Sequence, residues 1–198
     1  MIRRLLFVFF LSLIACSSLN AQEVNGRPLS LIPYPATVLE GEGAFIFTEK
    51  TTMALEDKNL ETIAKEFVGL FAKPAGFTPK LKVGGKKGEV LIKKDDTLQE
   101  EGYVLTVNPE KIVIKAAGEK GAFYALQTLR QLLPADIEGA KYKEGVVWDV
   151  PAISITDEPR FGYRGLMVDV ARYFIPKQHL LRIIDTMGML KFNKLHLH

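Results

Sequence analysis

The last 36 residues, 163–198, constrain the fold of this chain more than any other segment. Leu166-Met167-Val168 is a continuous apolar run, typical of a strand buried on both faces of a parallel sheet. Pro176 suits the first turn of a helix, and apolar residues then recur at helical spacing up to Leu190. Residues 194–198 alternate with period two, as in a second strand. The order strand–helix–strand predicts the opening of a β/α barrel or of a doubly wound sheet.

Ionisable side chains stand where these two strands are predicted to end. Asp169 follows the first strand directly and Arg172 comes three residues later, while His196 and His198 alternate onto one face of the second strand. In both folds the chemistry takes place at the carboxyl ends of the strands. The planar guanidinium of Arg172 suits vicinal hydroxyls or a carboxylate. An Asp–Arg pair that only stabilises the strand end explains the same spacing equally well.

His196 and His198 also permit a metal-binding interpretation. A His-x-His pair at a strand end can ligate a metal in barrel hydrolases, and two imidazoles that hydrogen-bond in a polar barrel mouth are the alternative. The sequence offers no evident third ligand. We therefore predict that the protein binds no metal and uses no other cofactor.

The amino terminus has the pattern of a secretory signal. Two arginines precede an apolar segment that, at about 11 residues, is too short to cross a bilayer. Residues 13–16 form a lipoprotein box in which Cys16, the only cysteine, would be lipidated, whereas Ala21 offers an ordinary cleavage site. We predict a signal peptide over residues 1–21 and export from a bacterium. The product is a lipoprotein attached to the membrane through Cys16, or a free periplasmic protein.

The charge balance argues against a nucleic-acid partner. Without Arg3 and Arg4 of the signal segment, 24 basic and 23 acidic residues remain, and near-neutrality provides neither a nucleic-acid footprint nor an anionic-membrane patch. Residues 80–94 are locally basic, but glycines interrupt them and two aspartates follow. We interpret this stretch as a solvated turn between two strands.

Residues 28–158 are predicted to form one small α+β domain, long enough to bury its own core. The predicted elements are one or two strands, a helix, a short strand, a hairpin and a second helix, at residues 37–55, 60–71, 89–93, 103–114 and 121–133. This order predicts an antiparallel sheet with helices on one face. Residues 148–161 contain two prolines and are predicted to be an extended connection, with Trp148 as a packing anchor at the domain junction.

Two stretches of the predicted strand–helix–strand unit resemble glycoside hydrolase family 20, the β-N-acetylhexosaminidases. Residues 159–174, PRFGYRGLMVDVARYF, resemble the start of that family's catalytic barrel, and residues 191–198, KFNKLHLH, resemble its second barrel strand. Upstream, residues 102–105 and 121–129 resemble the family's N-terminal accessory domain. The resemblance implies an α+β accessory domain over residues 28–158 and the first β-α-β unit of a (β/α)8 TIM barrel over residues 160–198.

The resemblance also implies roles for individual residues. Arg172 matches the arginine that holds hydroxyls of the non-reducing terminal sugar. Arg164 and Asp169 match positions that support the strand, and His198 matches a histidine that precedes an Asp-Asp pair. Tyr173 stands where the family often has His, a departure that leaves the role of Arg172 intact.

In this family the substrate's own 2-acetamido oxygen attacks the anomeric carbon, with retention of configuration. An Asp orients the acetamido group and a neighbouring Glu protonates the leaving oxygen. That pair lies downstream of the residues matched here, so the resemblance assigns no catalytic residue to this chain. Because a full barrel takes about 250 residues and the chain stops at His198 inside an alternating run, we expect the chain to be the front part of a larger protein. The resemblance implies that the larger protein is an exo-β-N-acetylhexosaminidase acting on N-acetylhexosamine-terminated glycans, and that residues 1–198 alone are inactive.

Two other functions fit the residues. A metal-dependent barrel hydrolase built on His196 and His198 would retain zinc or manganese. An exported glycan-binding or scaffold protein would bind glycans through residues 28–158 alone.

Overall fold

A computed structural model of the protein describes residues 23–24 and 27–198. The predicted signal segment, including Cys16, lies outside the described residues. Two short strands, β1 (Glu23–Val24) and β2 (Arg27–Pro28), pair antiparallel ahead of the main body. Within the described residues, none of the helices combines the length and the apolar character that a membrane crossing requires.

A seven-stranded mixed sheet forms the larger part of the structure. Its strands are β3 (Thr37–Ile46), β4 (Thr52–Leu55), β5 (Lys80–Val83), β6 (Val90–Lys94), β7 (Tyr103–Asn108), β8 (Lys111–Ala116) and β9 (Asp149–Asp157). Their spatial order is β3-β9-β7-β8-β6-β4-β5. The pairs from β3 to β8 are antiparallel, and the pairs from β8 to β5 are parallel.

The prediction of an antiparallel sheet is therefore wrong for three of its six strand pairs. The helix α1 (Glu61–Gly69) connects β4 to β5, and a crossover of this kind brings the chain back to run parallel to the strand it left. The predicted basic turn occupies only residues 84–89, and it joins β5 to β6 on opposite sides of β4. The strand β5 was not predicted because its lysines obscure the alternation with Leu81 and Val83.

The prediction of an extended connection over residues 148–161 is also wrong, because β9 is a central strand between β3 and β7. Pro151 suggested a non-strand segment, since proline cannot donate to a ladder. The structure accommodates it where β7 no longer pairs, beyond the Val107–Ile153 partners. On its other side Pro151 faces Ala44, at the end of an irregularity in β3 that includes Gly43 with φ of 85°.

Both predicted helices of this unit are confirmed, and they cover one face of the sheet. α1 and α2 (Glu119–Leu132) bury residues in the same cluster as alternate residues of β7 and β8, such as Leu105 and Ile114. Two short 3-10 helices, Lys58–Leu60 and Ala135–Glu138, flank them. Mixed sheet and one-sided helices confirm the α+β class.

Trp148 is a packing anchor, as predicted, but within this core. It is 5% exposed, and its ring meets Phe71 edge to face at 6.1 Å between centroids. Phe71 also packs on Phe47 at 4.9 Å. Edge-to-face and tilted contacts of this kind fix the orientation of the rings as well as burying their area.

The predicted strand–helix–strand unit is present at the carboxyl end. β10 (Gly165–Val168) and β11 (Lys194–Leu197) pair parallel, with α3 (Lys177–Met189) between them in the chain. The expectation that β10 is buried on both faces is wrong for this chain, because Leu166 and Met167 are 38% and 52% exposed. Within the described residues β10 has β11 as its only neighbouring strand.

Candidate active site

The carboxyl ends of β10 and β11 meet and bring three predicted site residues together. The backbone ladder continues past both strands: His198 donates its N–H to the Val168 carbonyl at 3.0 Å, and its own carbonyl accepts from Val170 and Ala171 at 3.0 and 3.1 Å. Asp169 lies on this connection. The side chains of Asp169, Arg172 and His198 consequently share one end of the sheet.

Asp169 is the centre of this group. Its carboxylate accepts backbone N–H groups of Ala171 and Arg172 at 3.1 and 3.0 Å, and it pairs with the Arg172 guanidinium through Nε. His198 Nδ1 lies 3.6 Å from Asp169 Oδ1, longer than a hydrogen bond. The backbone N–H of Arg172, followed by its guanidinium, lowers the pKa of Asp169, so the carboxylate is ionised at neutral pH.

Arg172 is held by one side and open on the other. Its side chain is 80% exposed, whereas that of Asp169 is 16% exposed. Among the described residues, Nε makes the only side-chain hydrogen bond of Arg172, which leaves both terminal NH2 groups available. Asp169 thus orients the Arg172 guanidinium towards solvent at the strand ends. This arrangement is compatible with both interpretations of the Asp–Arg spacing: a pair that stabilises the strand end, and a group that binds a ligand.

His196 of β11 and His198, the residue after this strand, lie on one face, and both are exposed. The register places His196 opposite Met167 of β10. In the part of the chain that the structure describes, no three His, Cys, Asp or Glu side chains cluster in a way that could hold a metal ion. The metal-dependent alternative therefore gains no third ligand from the fold.

Arg164 lies at the opposite, amino end of β10 and supports the strand by joining the two units. Its guanidinium donates to the Lys191 and Phe161 carbonyls at 2.8 and 2.6 Å. It also reaches the larger unit, pairing with the Glu101 carboxylate at 3.0 Å and donating to the Tyr124 hydroxyl at 2.7 Å. The Arg164 hydrogen bond lowers the pKa of Glu101.

Lys191 forms a second and more deeply buried connection. The residue is 3% exposed, and its ammonium group donates to the Tyr103 hydroxyl at 2.9 Å and to the Asp157 carboxylate at 3.0 Å. Tyr103 itself donates to Asp157 at 2.9 Å and lies 2.7 Å from the Thr128 hydroxyl. Burial lowers the pKa of Lys191, an effect that the Asp157 carboxylate opposes. Burial also raises the pKa of Tyr103, so this hydroxyl stays protonated.

A third contact fixes the end of α3. The amide of Gln131 on α2 donates to the carbonyls of Met189 and Ile32 at 3.0 and 2.9 Å. Close by, Gly188 faces the Phe123 ring, where an added Cβ would lie 3.4 Å from the ring. Phe123 is partly buried and packs against the core of the larger unit.

Both units match models of one protein family. Residues 29–158 match the model described as glycosyl hydrolase family 20, domain 2, and residues 161–198 match that of the family's catalytic domain. The chain belongs to glycoside hydrolase family 20. The resemblance seen in the sequence is thereby confirmed.

Relatives of this family 20 chain are hexosaminidases. It is 35% identical over 196 residues to a β-hexosaminidase of Porphyromonas gingivalis, an alignment that covers 95% of this chain and 25% of the relative. It is 30% identical over 207 residues to β-hexosaminidase subunit A2 of Dictyostelium discoideum, covering 100% of this chain and 37% of the relative.

Solved structures agree with this assignment. The Streptomyces plicatus N-acetyl-β-hexosaminidase in complex with Thio-NAglucal superposes with a TM-score of 0.79 at 32% identity, over 86% of this chain and 34% of that one. The β-N-acetylhexosaminidase of Bacteroides fragilis gives 0.69 at 30% identity, over 86% and 33%. The family 20 chain thus spans about a quarter to just over a third of the proteins it resembles.

The sequence did not reveal that Lys191 joins the two units. Lys191 stands between two apolar residues, Leu190 and Phe192, which is the one local sign that its side chain is buried. Asp157 and Glu158 form an adjacent Asp-Glu pair, but Asp157 is engaged at the amino ends of β10 and β11 by Lys191 and Tyr103. This pair therefore lies away from Arg172 and does not take the part of the family's catalytic carboxylates.

Replacing Lys191 with Met should destabilise the chain by about 2–3 kcal/mol, because Asp157 loses its buried cationic partner. The Tyr103 hydroxyl still donates to Asp157, which limits the loss. Urea unfolding of parent and variant measures this difference. Lys194→Met, which removes the same charge from an exposed position three residues later, should change stability by less than about 0.5 kcal/mol. Equal effects of the two substitutions would show that the buried contact is unimportant.

The contribution of Glu101 to stability should depend on pH. Its pKa lies below the ordinary value of 4.5 in the folded chain, so its contribution is complete above that value and is lost as the pH falls through the folded-state pKa. Glu101→Gln should lower the melting temperature at neutral pH and have little effect near pH 3. The neighbouring Glu100, whose pair with Lys120 is exposed, provides the control, and Glu100→Gln should change little at either pH. A Glu101→Gln deficit that persists in acid would contradict the assignment.

Proposed function

We propose that the protein to which this chain contributes is a retaining exo-β-N-acetylhexosaminidase that removes terminal N-acetylhexosamine residues from glycans. The observation that carries the proposal is the Asp169–Arg172–His198 group at the carboxyl ends of two parallel strands in a family 20 chain. Catalytic groups of β/α barrels occupy this end of the strands. We further propose that β10, α3 and β11 open such a barrel.

In this proposal Arg172 binds the non-reducing terminal sugar. A guanidinium offers paired donors in a fixed plane, suited to hydroxyl groups on adjacent carbons. Asp169 accepts the Nε proton and two backbone N–H groups, which restricts the rotamers of Arg172 before the sugar arrives. Less conformational entropy is then lost on binding. Asp169 and His198 are positioning residues in this scheme.

Residues 1–198 alone should not hydrolyse the substrate. The family's acid–base carboxylate pair has no counterpart beside Arg172 among the described residues, and in family 20 the attack comes from the substrate's own acetamido oxygen. No metal is required for that chemistry, so retention of zinc or manganese by the active protein would instead favour the metal-dependent reading of His196 and His198.

In the whole protein, Arg172→Ala should lower kcat/KM for an aryl N-acetyl-β-glucosaminide by on the order of 100-fold, since several charge-assisted hydrogen bonds are lost. Arg172→Lys should recover only part of this loss, because an ammonium group cannot replace the planar fork. Steady-state kinetics measures both. The control is Arg160→Ala, an exposed arginine at the amino end of β10, which should keep parental kinetics. Parental activity of Arg172→Ala would refute the assigned role.

We also propose that the protein is exported and anchored through a lipid on Cys16. Support comes from the apolar segment and the lipoprotein box of residues 13–16. In a bacterium fed a labelled fatty acid, the parent should incorporate the label and partition with membranes. Cys16→Ser should remain unlabelled and leave the membrane fraction. A labelled Cys16→Ser variant, or an unlabelled parent, would contradict the anchor.

A further inference from the structure

One face of the large sheet brings the lysines of the locally basic stretch at residues 80–94 together with lysines of β8. The helices cover the other face, so outward positions of β5, β6 and β8, with the turn at residues 84–89, form an open surface. We call it the lysine face; its lysines are Lys80, Lys82, Lys86, Lys87, Lys93, Lys111 and Lys115. All seven are exposed or half-buried.

The register of the strands sets these charges side by side. Lys93 of β6 is the direct partner of Lys115 on β8, and Lys82 of β5 stands beside Ala54 of β4, which has no charge to offer. Like charges in such positions destabilise a sheet. None of the seven takes part in the ion pairs of the described residues, where the paired lysines are Lys65, Lys94, Lys120, Lys143 and Lys191.

The carboxylates near this face balance only part of its charge, and one of them, Asp95, interacts with Lys115, whose charge helps to lower its pKa after the larger effect of the Thr97 hydrogen bonds. A cleft of about 570 Å³ contains four of the lysines together with Glu89 and Glu110. The Glu89 carboxylate accepts the backbone N–H of Thr52 at 2.8 Å. At the other end of the face, Asp95 accepts the backbone N–H and the hydroxyl of Thr97 at 3.1 and 2.6 Å. Because Glu89, Glu110 and Asp95 are fewer than the seven lysines, an excess of positive charge remains on this face.

We propose that the lysine face binds an anionic polysaccharide, one that carries sulfate or carboxylate groups on successive sugars. The proposed binding by the lysine face is argued from its charge pattern. The proposed use of this binding by an enzyme rests on the proposed hexosaminidase function. Neighbouring strands lie about 4.8 Å apart, so Lys93 and Lys115 on adjacent strands offer two closely spaced positive charges to a linear polymer. Binding holds the glycan on the accessory unit, outside the sugar site at Arg172.

The side chains between the lysines favour a polysaccharide over other polyanions. The outward positions in the middle row are Ala54, Leu91, Val113 and Thr106. This row has no aromatic ring on which a base could stack and no arginine to grip a phosphate with two donors. It also lacks a protruding apolar side chain to enter a lipid surface, since Leu91 is 1% exposed.

The test measures binding of the chain to immobilised chondroitin sulfate at low salt. The triple variant Lys82→Gln, Lys93→Gln, Lys115→Gln should lose affinity by at least about tenfold, and added salt should weaken the parent's binding. The matched control replaces Lys73, Lys141 and Lys177, which are exposed, free of ion pairs in the described residues and off this face. It removes the same charge and should keep parental affinity. Thermal melts establish that both variants fold.

Two results would overturn the proposal. Equal losses in the two triple variants would show that net charge, not this face, causes binding. Equally tight binding to vesicles of phosphatidylcholine and phosphatidylserine in equal amounts, abolished by the same substitutions, would identify a membrane-docking surface instead.

A second measurement separates this proposal from the proposed function. In the whole protein, the lysine-face variant should hydrolyse a neutral aryl N-acetyl-β-glucosaminide at the parental rate, because that substrate does not reach the sheet. A whole protein that lacks this activity while its chain binds chondroitin sulfate would refute the hexosaminidase and support the surface. Full activity without any polysaccharide binding would refute the surface alone.

Discussion

The buried contact of Lys191 with Asp157 and Tyr103 is the interaction on which the arrangement of the two units depends. An ammonium group that is 3% exposed is costly unless it is paired and hydrogen-bonded, and both of its partners belong to the large sheet. Lys191 also adopts φ of 61°, a conformation unfavourable for a non-glycine residue. The same contact therefore compensates two costs at the turn that leads into β11. That strand can dock in this way only when the larger unit is folded.

This contact and the Arg164 cluster lie at the amino ends of β10 and β11. The two ends of these short strands therefore differ in what their side chains contact. The Lys191 ammonium group and part of the Arg164 guanidinium donate hydrogen bonds to the larger unit. Arg172 at the carboxyl ends bonds only within its own connection and stays open to solvent. The contacts to the larger unit are thus concentrated at the amino ends of these two strands.

The sequence predicted what depends on local pattern. Periodicity located α1, α2 and α3, and the spacing of Asp169 and Arg172 behind an apolar run predicted that the two side chains lie together at a strand end. It did not predict what depends on distant partners. The sequence did not predict β9, because whether a strand can contain Pro151 depends on the irregular part of β3 opposite it. It did not predict β5, because a lysine-rich segment gives no sign that it pairs with β4. The contacts of Lys191 could not be predicted for the same reason, since its partners Asp157 and Tyr103 lie 34 and 88 positions away along the chain.

The polar contacts that join the two units are not needed for stability alone, because replacing a buried ion pair with apolar residues is often neutral or stabilising. The polar contacts at the amino ends of β10 and β11 fix the register of these two strands. The Arg164 backbone accepts from Asn193 N–H at 2.9 Å and donates to the Asn193 side chain at 3.0 Å, contacts that a shifted strand would lose. A slip of one residue would turn His198 to the other face of β11, whereas apolar packing is non-directional and would tolerate the slip. The directional bonds at the amino ends thus hold His198 beside Asp169 at the other end of the strand.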